Sequence, residues 1–309
     1  MDLAGDAGAV LVSRDFKDAA YAQVGAVAER KSHKVMAGVA LAKGTTIRAS
    51  LTHLEGGNVL VGTQADGEGY ALVGRDSLAQ SRYILAKDRG KPVSDAALMA
   101  AVAHDLGIKP QHVVAVEQPG DFHLDMHMMP VAPGEVMVND PVAAQQLSEQ
   151  WERADHLRKK PAAPRAGASA ATVETYNSDL AFWKELGQDA ERNFKEAAAR
   201  AQKQATAEER SIRDLEKAGI KVHRVPAVFG PRHAPQANFI NAEQGTNPKG
   251  ERFYIALGGD PRAERVFVEA LAAIKPGIAR IHFLDRDITM STLVAGGGIS
   301  CRTKAEGAL

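Results

Sequence analysis

At 309 residues with 45% apolar side chains, the chain has material for one large domain or two ordinary ones around a sizeable core. Lysine plus arginine and aspartate plus glutamate both total 38, so no global field draws in nucleic acid or an anionic membrane, and neither is expected as a partner. The opening stretch MDLAGDAGAVLVSRD lacks a secretory signal's basic start and long apolar core, and no segment reaches bilayer-spanning length; the expected location is the cytoplasm, or outside by a route without a cleaved signal.

Taken in order, Gly8 to Val12 reads as a strand and Phe16 to Arg30 as a helix. Val35 to Leu41 and Thr46 to Ser50 are β-rich and lead into LEGGNVLVG, Leu54 to Gly62, whose paired glycines mark a turn or bulge beside a buried strand. Tyr70 to Val73 is another strand, and Ser94 caps a helix that Gly107 ends. After a strand at His112 to Val116, the stretch QPGDFHLDMHMMPVAPGEVMVND gives a loop, an alternating strand, a Pro-Gly turn and a short strand. From Pro141 the texture changes. Val142 to Arg158 is helical, RKKPAAPRAGASAAT is a linker of low complexity, and Val173 to Ala218 is built of strong helix formers with a weak break near Gly187. A helical insertion at about 141–218 is the simplest reading. Beyond it, KVHRVPAVFG and a hairpin-like pair in QANFINAEQGTNPKGERFYIALGG restore mixed structure. A helix follows from Pro261 to Ile274, started by Asp260, then a strand at Ala279 to Leu284. Short strands and single helices recur in a cadence that suggests a modular barrel or propeller.

Chemistry points first to Cys301, the only cysteine, which follows Gly296, Gly297 and Gly298 and precedes Arg302 and Lys304. A solitary thiol is either a small buried hydrophobe or a nucleophile, and neighbouring cations favour its thiolate. A thiolate needs an imidazole to exchange protons and a third group to orient it. In DFHLDMH, a strand would put Asp121, His123, Asp125 and His127 on one face. That face reads as the wet side of a half-exposed strand, as part of a metal site, or as a source of general acid and base. Glu55 in LEGGN is a solvated loop residue or an orienting carboxylate, and Asp15 in VSRDF is a helix cap or a binding carboxylate.

In this order, Asp15 in VSRDF, Glu55 in LEGGN, His123 and Asp125 in HLD, and Cys301 in GGGISC resemble the motif set of the guanidino-group-modifying, or pentein, superfamily. Within it the chain is most similar to the catalytic domain of protein-arginine deiminases, through HLDMHMMPVAPGEVMVND, the helices between Pro141 and Ala218, ANFINAEQG and GISC. The resemblance implies an α/β propeller of five ββαβ modules with pseudo-fivefold symmetry, formed as one catalytic domain over 1–309 with a helical insertion. It implies Cys301 as nucleophile, His123 as general acid and base, Asp15 and Asp125 as guanidinium-binding carboxylates, and Glu55 as the group that orients the histidine. Arg302, with Arg75 and Arg232, is a candidate for a substrate carboxylate. Asn58 stands where aspartate is common and Ser300 where histidine is frequent, and with only fourteen residues before Asp15 the first module is expected to be abbreviated, completed by the C-terminus or cut from a longer chain.

The activity so implied is hydrolysis of arginine, foremost peptidyl-arginine, to citrulline and ammonia through a covalent cysteine thiouronium. The partner is then an arginine-containing protein or peptide, or a small guanidino compound. Alternatives are a hydrolase of free arginine, agmatine or methylarginine, an amidinotransferase, and a catalytically inactive binding protein of the same fold. No metal or cofactor is expected, and no acidic loop supplies a motif for calcium dependence.

Overall fold

The computed structural model describes residues 9–12, 46–54, 56–120, 123–230, 237–285 and 287–289. The described part opens with a parallel pair, β1 (Ala9–Val12) beside β2 (Thr46–Ala49). One unit of structure then recurs. Strand β3 (Val59–Thr63) pairs antiparallel with β4 (Gly69–Gly74), the chain crosses over through α1 (Arg75–Arg89) and α2 (Asp95–Leu106), and β5 (Val113–Val116) returns parallel to β4. Next, β6 (Met128–Ala132) and β7 (Glu135–Asn139) form a hairpin, α3 (Pro141–Arg158) and α4 (Ala170–Lys217) cross over, and β8 (Lys221–Val225) lies parallel to β7. Between the second and third units, β9 (Val228–Phe229) pairs antiparallel with β10 (Ala237–Asn238). The third unit repeats the plan with β11 (Glu243–Thr246), β12 (Arg252–Leu257), α5 (Pro261–Ile274) and β13 (Ile278–Leu284). The described residues thus hold a ββαβ unit three times, each as its own three-stranded sheet.

Local chemistry repeats with the topology. Crossover helices α3 and α5 both start on an Asp-Pro pair: Asp140 accepts from Ala143 N at 2.9 Å, and Asp260 accepts from Arg262 N at 2.8 Å. Proline at the first helical position loses no bond there, and the aspartate answers an orphan donor. Gly62 faces Tyr70 across β3 and β4, and Gly245 faces Phe253 across β11 and β12. In both pairs a Cβ on the glycine would clash with the far end of the ring, at 2.6 and 2.4 Å from its nearest atom, so the aromatic covers the bare backbone opposite.

The central strands are buried on both faces, and the period of two sends alternate side chains to different cores. On β4, Ala71 and Val73 join Leu78, Leu98 and Val102 of the first unit's own helices. Tyr70 and Leu72 turn the other way, to Met128, Val136, Val138, Ile212 and Leu215 of the second unit. On β7 the same division sends Val136 and Val138 toward the first unit, and Met137 toward Tyr254, Phe239 and Phe267 on the side of the third. Each hairpin therefore completes its neighbour's core, which is why units too small to bury themselves are stable as a series.

Three features differ from expectation. Helix α1 has no counterpart in the sequence reading, because it starts directly from β4 at Gly74 with no capping side chain to announce it. Conversely, the described part of DFHLDMH, from His123 on, is not an alternating strand: Leu124–Met126 is a short 310 turn and the strand begins at Met128. Gly187 does not break α4; a Cβ there would meet His156 Nε2 at 2.8 Å, so the glycine admits α3 to close approach, and the His156 ring stacks on Trp183 at 4.4 Å.

Candidate active site

Of the catalytic residues expected from the sequence, His123 and Asp125 lie within the described residues, and they meet. His123 Nδ1 is 3.9 Å from Asp125 Oδ1, with the two side chains 17% and 9% exposed. The 310 turn between them is what allows this. In a strand, residues two apart share a face but stand side by side; here the chain curls after His123, so imidazole and carboxylate converge on the same point.

That point is the backbone of the E-G-G-N turn. Gly56–Asn58 is itself a 310 turn, and a Cβ built on Gly57 would lie 2.3 Å from His123 Nδ1 and 2.9 Å from Asp125 Oδ1. Glycine is required there because the imidazole and the carboxylate lie directly on its Cα. Asn58, fully buried, binds the two turns together: its Oδ1 accepts from Leu124 N at 3.2 Å and from Gln118 Nε2 at 3.3 Å. Gln118 Oε1 in turn accepts from Asp76 N at 3.0 Å, so the first turn of α1 is tied to the same cluster.

The other side is walled by asparagines from the β9–β10 region. Asn238 Nδ2 donates to Met126 O at 3.0 Å and Asn241 Nδ2 to Asp125 O at 3.5 Å. Asn238 Oδ1 also accepts from the backbone of Ile240 and Asn241 at 3.0 and 3.1 Å, which fixes their turn. Tyr254 donates its hydroxyl to Phe239 O at 2.6 Å, and burial pushes that phenol far above its ordinary pKa, so it stays a neutral donor. Buried amides satisfy the carbonyls of the turn without adding charge beside the carboxylate.

The approach to Gly56 is held from behind. Asp105 on α2 accepts from Leu51 N and Thr52 N at 2.9 Å and from Thr52 Oγ1 at 2.6 Å, while Ser81 Oγ on α1 accepts from His53 N at 3.1 Å and donates to His53 O at 3.0 Å. None of these supports was distinguishable in the sequence. Lone Gln118, Ser81 and Asp105 have no motif, whereas two asparagines in ANFIN, amid apolar residues, were a visible signal.

The other expected site residues, Asp15, Glu55, Cys301 and Arg302, lie outside the described residues, as does Arg232. Arg75, a candidate substrate contact in the sequence, is bound to Asp214 at 2.8 Å and to Glu117 at 3.3 Å. His127 does not share a face with His123; its Nδ1 is 3.3 Å from Glu208 Oε1, in the interior. Among the described residues no group of three His, Cys, Asp or Glu side chains is placed to hold a metal ion, and no helix is long and apolar enough to cross a membrane.

No family model and no curated protein matches the chain. Among solved structures it is similar to an agmatine deiminase of C. jejuni, with 11% identity and a TM-score of 0.47 over 95% of this chain and 67% of that one. It is also similar to a cysteine-to-serine form of agmatine deiminase from C. jejuni with substrate bound, with 11% identity and a TM-score of 0.45 over 92% of this chain and 64% of that one. The chain thus spans about two thirds of the length of these structures.

Proposed function

We propose that the chain is a hydrolase of the guanidino group, built as a propeller of five ββαβ modules, that exchanges a terminal nitrogen of an alkylguanidinium for oxygen. The observation that carries this reading is the junction of His123 and Asp125 on the bare Cα of Gly57. An imidazole and a carboxylate packed on this turn are the groups that a guanidinium site needs.

A guanidinium is planar, delocalised and permanently charged, so two carboxylates can grip it with paired bonds; Asp125 is one and Asp15 the proposed other. The Cys301 thiolate attacks the central carbon, and His123, protonated, gives its proton to the departing nitrogen, which leaves as ammonia. Water then adds to the thiouronium as neutral His123 takes its proton, and collapse of the adduct expels the thiolate and leaves a ureido product. Arg302 is the proposed contact for more distant substrate groups. Peptidyl-arginine is the first substrate to test, and free arginine, agmatine and methylarginine are the small alternatives.

The test is mass spectrometry of an arginine peptide and of each small compound after incubation with the protein, in search of the imino-to-oxo mass gain and released ammonia. Cys301→Ala abolishes the conversion, and His123→Asn lowers kcat by about 10²- to 10⁴-fold, the usual worth of a positioned acid and base. Conversion unaffected by both substitutions, or absent with all four guanidino substrates, sinks the reading.

A further inference from the structure

The longest element of the chain sends one polar stripe into the interior. On α4, Gln204, Glu208, Ser211 and Leu215 fall at the three- and four-residue spacing of one helix face. Leu215 and its neighbour Ile212 pack in the core shared by the first two units, as such a face ordinarily does. Gln204, Glu208 and Ser211 do not follow that pattern, although Glu208 and Ser211 have no exposed surface. A polar face buried this way is costly unless every group is matched.

All of those polar groups reach the same short segment, residues 117–127, which carries His123 and Asp125. Ser211 Oγ donates to Glu117 O at 2.6 Å, and Asp214 Oδ2 accepts from Glu117 N at 2.9 Å. Gln204 Nε2 donates to Pro119 O at 2.6 Å, lies 3.2 Å from His127 Nδ1, and is 3.3 Å from Glu208 Oε1. Glu208 Oε1 also lies 3.3 Å from His127 Nδ1 and 3.5 Å from Asn139 Nδ2. Gly120, at φ +92°, brings its backbone against the Gln204 side chain, where a Cβ would be 3.4 Å from Oε1. The helix therefore holds both ends of a segment whose middle is pinned by Asn58.

We propose that Gln204, seconded by Glu208, is a positioning residue: from the crossover helix it sets the place of Pro119 and His127 on either side of His123, and so the place of the His123 imidazole over Gly57. It touches no substrate and acts through Pro119 and His127. This rests on the functional reading above only for its effect on turnover; its effect on the segment is independent of what the substrate is.

The experiment compares Gln204→Met, which keeps length and packing but removes the amide, with Gln202→Met, the same change on an exposed position of the same helix. Amide hydrogen exchange over 117–127 and over Glu135–Asn139 is measured in both, along with thermal melting and kcat and KM on the substrate found in the mass-spectrometric assay. Expected for Gln204→Met is at least about tenfold faster exchange over 117–127 with β7 unchanged, and a comparable loss in kcat at unchanged KM, a misplaced acid and base being felt in the chemical step. Gln202→Met changes neither. Exchange over 117–127 that stays at the wild-type rate, or that rises equally in β7, overturns the proposal. Should the unaltered protein turn over no guanidino compound, the functional reading falls while the exchange comparison still decides the role of Gln204.

Discussion

Gly57 carries a prediction that separates stability from chemistry. The atoms a new Cβ would strike there belong to the largely buried side chains of His123 and Asp125, and not to backbone. Gly57→Ala is therefore expected to cost about 1–3 kcal/mol in denaturant unfolding, the range of overpacking, with cooperativity kept, while lowering kcat/KM by about 100-fold, the scale of a displacement near 1 Å at a reacting group. Circular dichroism with urea titration measures the first and steady-state kinetics the second. A fall in both together, with lost cooperativity, would mean that the glycine serves the fold and not the imidazole. Asn58 belongs to the same scale: it stands where the resembling family commonly has aspartate, and its amide lets one oxygen accept from Leu124 and Gln118 without a second carboxylate beside Asp125.

Among the elements, the Asp-Pro starts of α3 and α5 are the same device used twice, and their worth can be measured one at a time. Asp140 caps Ala143, and its backbone N donates to Val225 O at 2.8 Å, a bond that substitution leaves in place. Asp140→Ala should then lower stability by about 0.5–2 kcal/mol, the worth of a lost cap, with no effect on kcat. Equilibrium urea unfolding checks this, and an unchanged midpoint would show that Pro141 alone starts the helix. Elements with such signals were readable: the helices opened by Ser94 and by Asp260 stand where their caps announce them. Helix α1 was not, because Gly74 supplies no side chain to cap it. The turn at Leu124–Met126 was hidden for a different reason. Alternation in DFHLDMH is real, but the bonds that curl it come from Asn58, Asn238 and Asn241, as far away as 116 residues in sequence.

At the scale of the whole molecule, α4 does two jobs along roughly 70 Å of helix. Its C-terminal part packs into the core between the first two units, while its N-terminal part pairs with α3, where Trp183 Nε1 donates to His156 O at 2.9 Å. Leu157, Phe182 and Leu186 are exposed in that region, so its outer end adds little buried apolar surface. Replacing residues 158–181 by a short Gly-Ser linker should leave stability within about 1 kcal/mol, since loop closure costs little and no core residue is removed. Thermal and urea melts decide, and loss of cooperative unfolding would show that the hairpin's tip supports the body.

Composition, caps and periodicity by themselves determined a mixed α/β chain with a long helical stretch at about 141–218, and the ordered H-x-D and E-G-G-N motifs marked the residues that meet, though not the turn that carries H-x-D. Those signals are local, written in residues a few positions apart. Only the tertiary structure decided that hairpin and crossover recur as one unit, that His123 and Asp125 rest on Gly57, and that a helix more than 80 residues downstream bonds the segment that carries them. Pairing between distant segments is set by which buried polar groups find partners on folding, and no spacing in the chain encodes that choice.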